Sequence, residues 1–397
     1  MKKYKYIIIG GGMTGSAALD AIRENDLNGS IAMFSIENFK PYDRPPLTKG
    51  LWSGKDVAEI FHAIPEKAID FYPDTSIKKI NPGEKKIIDE NGQEYIYQKL
   101  LIATGGHPLE IPDAPEGVIA YRTLNDYKTL QAQLKPESKL CVIGGGFIGS
   151  EITAALNMNG HQITMIFPEI GISGLRFPDD LALFLNDYYR EKGVKVLNNC
   201  LVQSITKAGE IFKVTYKNVK DESNSDALFD KVIVGIGIKP NVDLAEDANL
   251  DVEDGILVNE YLQTSDPNIY AAGDVAYFKN IPLNKRTRVE HEDHAKHSGA
   301  IAGRNMCGQE EKYDHFPFFY SDLFDLGYEA VGELNKDLEI ISDWIDPFKK
   351  GTIYYLKEGK IQGVIFWNLW GKVDEGRKLI KEGKTFDKSD LIGLFSD

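Results

Sequence analysis

Two stretches of the chain carry glycine at a spacing that does its chemistry through the backbone: Gly10, Gly12 and Gly15 in one, Gly144, Gly146 and Gly149 in the other. In such a run the first glycine permits a tight turn, the second lets a pyrophosphate approach the backbone, and the third lets a helix pack close on the preceding strand. The helix N-terminus then offers unpaired N–H groups and partial positive charge to the phosphates. An acid after the second strand of each unit is suited to accept ribose hydroxyls, and Glu37 and Glu169 stand there, after Ser30–Ser35 and Gln162–Phe167. An acid at 169 accepts from a free 2′-hydroxyl and repels a 2′-phosphate, so the second nucleotide reads as NADH rather than NADPH; Arg176 is the nearby residue that argues the other way.

Two dinucleotide sites in one chain imply a hydride donor and a bound acceptor. Nicotinamide gives two electrons together, whereas a flavin can return them one at a time, so FAD is assigned to the first loop and NADH to the second. The expected fold class is α/β, with two Rossmann-like units. Tyr4–Ile9 and Leu140–Ile143 are the apolar strands that enter the loops, and Ser16–Ile22 and the stretch through Asn157 are the helices that leave them. Lys99–Gly106 and Lys231–Gly237 read as closing strands, each ended by a proline pair, His107–Pro108 and Lys239–Pro240. Ile269–Asp274 is a further strand-like run. After Asp314 the texture turns to aromatics and short alternating strands, Gly351–Leu356 and Gln362–Phe366, then a helix over Glu375–Glu382. The expected domains are a discontinuous FAD-binding domain, 1–112 with 242–313, an NADH-binding domain, 113–241, and a small C-terminal α+β domain, 314–397.

Composition narrows the partners. The net charge of −14 disfavours nucleic acid, which needs clustered Lys and Arg; the group Lys372, Arg377, Lys378 and Lys381 reads as a solvated helix face. Cys141, Cys200 and Cys307 are far apart and in no metal-ligand or CxxC spacing, which fits a reducing, cytoplasmic setting. No apolar run reaches the ~20 residues that span a bilayer, so no stable membrane insertion is expected. A first strand that begins by Tyr4 leaves no room for a targeting peptide.

The loop Pro41–Lys49, with Phe167–Glu169, Arg288–His294, Tyr320–Leu323 and Gly327–Gly332, resembles the FAD-dependent pyridine-nucleotide oxidoreductases with the glutathione-reductase-like double fold. Within them it is most similar to apoptosis-inducing factor and the oxygenase-coupled ferredoxin reductases. Members that work through a thiol carry cysteine in the flavin loop, and here there is none, so disulfide reduction is set aside.

The resemblance implies that Arg44, Lys49, Thr104, Arg122 and Asp274 contact FAD, together with Gly10, Gly12, Thr14, Gly15, Glu37, Ile77, Gly105, His291 and Tyr320. It implies a Lys49–Glu151 ion pair near flavin N5, with His291 over the flavin face. Gly144, Gly146, Phe147, Ile148, Gly149, Glu151, Glu169, Gly237 and Glu290 would serve NADH, Phe147 and Ile148 by shielding the nicotinamide. The family acid aligns nearer Ile36 than Glu37, and Tyr320 stands where relatives often have Trp. The implied activity is hydride transfer from NADH to flavin N5, then electron release to a ferredoxin- or rubredoxin-type carrier, a quinone or oxygen. The alternative is an NADH-responsive redox sensor or scaffold that forms a homodimer on reduction.

Overall fold

The computed structural model describes residues 1–64 and 69–395. Strand β1 (Lys2–Ile9) ends at Gly10, and helix α1 (Met13–Asn25) begins just beyond, with Gly12 as its N-cap. The run of isoleucines in β1 marks a strand covered on both faces, as in a parallel sheet flanked by helices. β2 (Ile31–Phe34), β3 (Asp70–Tyr72), β4 (Ile77–Asn81), β5 (Lys86–Asp89) and β6 (Glu94–Ile102) follow. The order β3-β2-β1-β6 is parallel throughout. On its other edge β6 takes Ile269–Ala271 in parallel through Leu100–Ile102, and β5 in antiparallel through Glu94–Ile96.

A second sheet repeats this order with different residues. Lys195–Leu197, Gln162–Ile166, Lys139–Ile143, Lys231–Val234 and Ile119–Ala120 are neighbours in sequence of pairing, all parallel. An antiparallel sheet of Cys200–Ala208, Ile211–Asn218 and Asn224–Phe229 precedes its strand Lys231–Val234, as β4 and β5 precede β6. The C-terminal residues form a five-stranded sheet, in the order Phe318–Leu323, Leu326–Gly332, Lys360–Trp367, Lys350–Lys357, Glu339–Asp346, with the helix Val373–Glu382.

Contacts gather the chain into two compact units. The first is Met1–Arg44, Asp56–His107 and Lys239–Phe319; the second is Pro45–Lys55, Pro108–Ile238 and Tyr320–Asp397. The loop 45–55 and the C-terminal sheet therefore group with the second glycine loop, a grouping that the linear order of motifs does not suggest. The proline pairs are not breaks, contrary to expectation. Gly106–Pro108 and Ile238–Pro240 are short strands, because the fixed φ of proline suits extended backbone and removes only a donor. Among the described residues no helix is long and apolar enough to cross a membrane.

His294, fully buried in the first unit, ties its helix (Glu292–Met306) to the turn that carries Asp274. One ring nitrogen lies 3.2 Å from the Gly273 carbonyl, so it carries the proton; the other, 2.5 Å from the Tyr313 hydroxyl, accepts. Burial pushes the imidazole down to about 4, against the pull of Asp274. The folded state then keeps His294 neutral while the unfolded chain binds a proton below about 6.5. Stability is accordingly retained above pH 6.5 and lost as pH falls from 6.5 to 4, by about 3 kcal/mol in all. Denaturant melts of His294→Phe across that window are expected to show a shallower acid loss than the native chain; parallel curves would refute this.

Candidate functional site

Gly10 and Gly15 are required by the protein's own backbone. A Cβ on Gly10 would lie 2.0 Å from the Ala103 carbonyl oxygen, and one on Gly15 the same distance from that of Gly10. The second loop repeats the pattern, with 2.4 Å from Gly144 to the Gly235 oxygen and 2.0 Å from Gly149 to the Gly144 oxygen. The middle glycines differ. A Cβ on Gly12 or Gly146 would meet nothing within 4 Å, and neither N-cap has a side chain that satisfies the helix. Backbone N–H groups thus face open space at two helix N-termini, which is the cradle that a pyrophosphate fits. Thr14 follows in the first turn of α1, and its side chain fills the space a Cβ on Gly273 would need.

The acids after the second strands differ in their surroundings. Glu37 lies just past β2 and accepts from Tyr42 at 2.6 Å and from Arg44 at 2.7 Å, one carboxylate oxygen each, while Ile36 is exposed. The structure therefore places Arg44 on Glu37, and it lies near enough to Asp274 to feel its charge. Glu169 is half-buried after Gln162–Ile166, and its backbone oxygen accepts from the Asn199 N–H. Arg176 holds its guanidinium 4.6 Å above the Phe147 ring, and its backbone oxygen accepts from Tyr355. Glu169→Arg is expected to shift the ratio of kcat/KM for NADPH over NADH by about 100-fold toward NADPH, since it replaces repulsion of a 2′-phosphate with attraction. An unchanged ratio would remove Glu169 from nucleotide choice.

The most developed cluster lies within the second unit. Glu151 is the one charged residue on the helix Phe147–Met158, which is buried through most of its length, so its carboxylate must be compensated. Three side chains compensate it. Lys49 Nζ lies 3.0 Å from Oε1, Ser321 donates to Oε1 at 2.6 Å, and Thr48 donates to Oε2 at 2.6 Å. At an effective dielectric of about 20 the Coulomb attraction of such a pair is about 5 kcal/mol, offset by the cost of taking both charges out of water. Burial, and then the negative charge of Glu151, hold the phenols of Tyr189 and Tyr328 well above their usual range.

Local sequence explains how Lys49 arrives there. Pro45 and Pro46 open one short 3-10 turn, Gly50 opens the next, and Lys49 is the joint between them. The turns are pinned from the Leu47 carbonyl, which accepts from Tyr121 and Trp52, and from the Trp52 carbonyl, which accepts from Asn159. Lys49 also lies 4.2 Å above the Tyr320 ring. Phe147 and Glu151 are one helical turn apart, so one helix carries the open glycine loop at its N-terminus and, a turn later, the carboxylate that meets Lys49.

The remaining expected residues fall in two groups. In the first unit, Thr104 donates to the Asn241 carbonyl at 2.8 Å and the Gly105 carbonyl accepts from Asn241 N–H. Ile77 is buried in the core, Asp274 lies in the turn Gly273–Val275, and His291 stacks on Phe319 with centroids 4.4 Å apart. Glu290 is exposed and accepts from Arg288. In the second unit, Arg122 precedes the capping box of the helix Leu124–Gln133, Ile148 is exposed, and the Gly237 carbonyl accepts from Leu109. Thr48 and Ser321 were not among the expected residues.

A chain with two Rossmann-like sheets, two open glycine cradles and a C-terminal antiparallel sheet is of the two-dinucleotide flavoprotein reductase class. Residues 4–299 match the family model described as pyridine nucleotide-disulphide oxidoreductase, and 342–382 match that of the apoptosis-inducing factor C-terminal region. The chain is 33% identical to apoptosis-inducing factor 1, mitochondrial, of Dictyostelium discoideum, over 98% of this chain and 80% of the relative. It is 32% identical to monodehydroascorbate reductase 3 of Arabidopsis thaliana, over 100% of this chain and 96% of the relative. Putidaredoxin reductase, solved in covalent complex with putidaredoxin, superposes with a TM-score of 0.89 at 25% identity, over 99% of this chain and 97% of that one.

The chain belongs to the pyridine nucleotide-disulphide oxidoreductase family. It is an FAD-dependent oxidoreductase that uses NADH. The disulphide of the family description has no counterpart among its cysteines, all three of which are free.

Proposed function

We propose that this chain reduces a one-electron acceptor, a small carrier protein of the ferredoxin or rubredoxin kind, with NADH as the electron source. The observation that carries the reading is the Lys49–Glu151 pair, whose polar partners are hydroxyls and not a thiol. Reduction of a disulfide or persulfide needs a reactive thiolate. Burial raises the thiols of Cys141, Cys200 and Cys307 away from that state, and Cys141 and Cys200 are packed in one core cluster. The putidaredoxin and monodehydroascorbate relatives support an acceptor outside the chain.

When bound, FAD supplies a group that takes two electrons together and gives them up singly. The chain's own residues bind and orient. The N–H groups at Gly12 and Gly146 would receive the two pyrophosphates, Glu169 would select the free ribose hydroxyl, and Phe147, held by Arg176, would cover the nicotinamide. Lys49, fixed by Glu151, would offer positive charge where negative charge develops on a reduced flavin. No acid or base is needed for a hydride to move; position is enough.

Anaerobic mixing with NADH should bleach the flavin band, and turnover should then be at least tenfold faster with ferredoxin or rubredoxin than with quinone or oxygen. Failure to bleach sinks the electron path; full turnover with oxygen alone sinks the carrier. A second reading, a redox sensor that dimerises on reduction, draws on the C-terminal match to apoptosis-inducing factor. Sedimentation with and without NADH tests it, and a monomer in both states excludes it. Cytoplasmic residence is part of the proposal, supported by the three free cysteines.

A further inference from the structure

The glycine loops and the Lys49–Glu151 pair leave unused a group of side chains in the first unit, Asp293, His297 and His315. Their ligand atoms all lie within 4.8 Å of one another. Asp293 and His297 are four residues apart on the helix Glu292–Met306 and so share a face, as paired ligands on a metal-binding helix do. His315 comes from the segment after that helix, and its Nε2 lies 2.5 Å from Asp293 Oδ2. His297 Nδ1 lies 3.2 Å from the other oxygen, Oδ1. The two imidazoles are stacked face to face, with centroids 3.7 Å apart and planes within 8°. Stacked rings carry their ring nitrogens side by side, and here both address Asp293, His315 at the carboxylate and His297 Nδ1 at the backbone oxygen, 2.9 Å away, as well as at Oδ1.

We infer that Asp293, His297 and His315 form a binding site for a divalent transition metal of the zinc class, outside the dinucleotide sites. Two imidazoles and a carboxylate are a donor set that suits zinc, which takes its nitrogen ligands at about 2.0–2.1 Å. The carboxylate is already oriented, since the Phe318 N–H donates to Asp293 Oδ2 at 3.2 Å, the kind of outer contact that fixes a ligand. His297 is half exposed, which gives the ion a path and leaves room for water to complete four-coordination.

The site would join the segment His315–Phe319 to the first turn of the helix whose N-cap is His291, the residue that stacks on Phe319. It therefore bears on a proposed flavin contact through Phe319 and His291.

The test is calorimetric titration of the tag-free, chelator-washed holoprotein with zinc chloride, with cobalt(II) absorbance as a second probe of geometry. One saturable zinc per chain is expected, with visible cobalt bands of a low-coordinate site. His297→Ala, at an exposed position, should weaken zinc binding by about 100-fold or more while the melting temperature holds, and Asp293→Asn should do likewise. His161→Ala, remote in sequence and just before the strand Gln162–Ile166, should change nothing. Absence of a one-per-chain zinc site, or binding that persists at full affinity in His297→Ala, overturns the inference.

Discussion

Gly146→Val is expected to leave the melting temperature within about 1 °C of the native value while raising the KM for NADH by about 100-fold, a loss of about 2.8 kcal/mol of binding. The reason is the contrast within the loop. A Cβ at 146 meets no protein atom within 4 Å and so points into the space a pyrophosphate would take. Gly149→Ala is the opposite case, because its Cβ would stand 2.0 Å from the Gly144 carbonyl and the backbone must move. That variant should lose about 1–3 kcal/mol of folding stability as well as NADH binding. The same pairing, Gly12→Val against Gly15→Ala, should separate FAD retention from folding in the first unit. Thermal melts and NADH saturation curves on the four variants decide the matter; a Gly146→Val protein with native KM would show that no dinucleotide approaches that backbone.

Glu151→Gln is expected to cut the rate at which NADH bleaches the flavin by about 100-fold, the range seen when one preorganised charge or donor is removed from a site. The change leaves Lys49 near a neutral amide and removes the charge that Thr48 and Ser321 address. Thr48→Val and Ser321→Ala each remove one hydrogen bond to a charged group and should cost about 1.5–3 kcal/mol of stability. A purely structural role for the cluster would lower the melting temperature in all three variants and leave the flavin potential where it was. A shift of potential in Glu151→Gln that Ser321→Ala reproduces in part would mark Ser321 as a positioning residue. Native rate and native potential in Glu151→Gln would remove the pair from the redox step.

The contrast between what could and could not be read from the residues follows sequence distance. Gly10 to Gly15 and Gly144 to Gly149 are local patterns whose meaning depends only on the strand before and the helix after, and both elements formed at those places. The partners of Glu151 were partly hidden. Lys49 came through the family loop, but Thr48 and Ser321 lie 103 and 170 residues from Glu151, and a hydroxyl carries no pattern of its own. Asp293, His297 and His315 were not grouped in the sequence for the same reason: the first two show helical spacing, while His315 arrives after the helix has ended. Glu37 shows a different limit. Position pointed to a ribose, and the structure shows its two oxygens already receiving Tyr42 and Arg44, so the contact to a nucleotide would have to be shared. The proline pairs misled because proline was read as punctuation, although its φ is that of an extended chain.

The strand Ile269–Ala271, which completes the first sheet against β6, sets the order in which the molecule can be made. During synthesis the N-terminal residues leave the ribosome with β1, β2 and β6 in hand, yet the edge of β6 at Leu100–Ile102 stays uncovered until more than 160 further residues have emerged. The second unit is no quicker, since the loop 45–55 must wait for 320–397. Long-range pairing of this kind folds slowly and leaves sticky edges exposed in the meantime. Nascent chains stalled before residue 269 should therefore be held by chaperones and cut readily by protease, and those stalled only after the last strand has cleared the exit tunnel should resist.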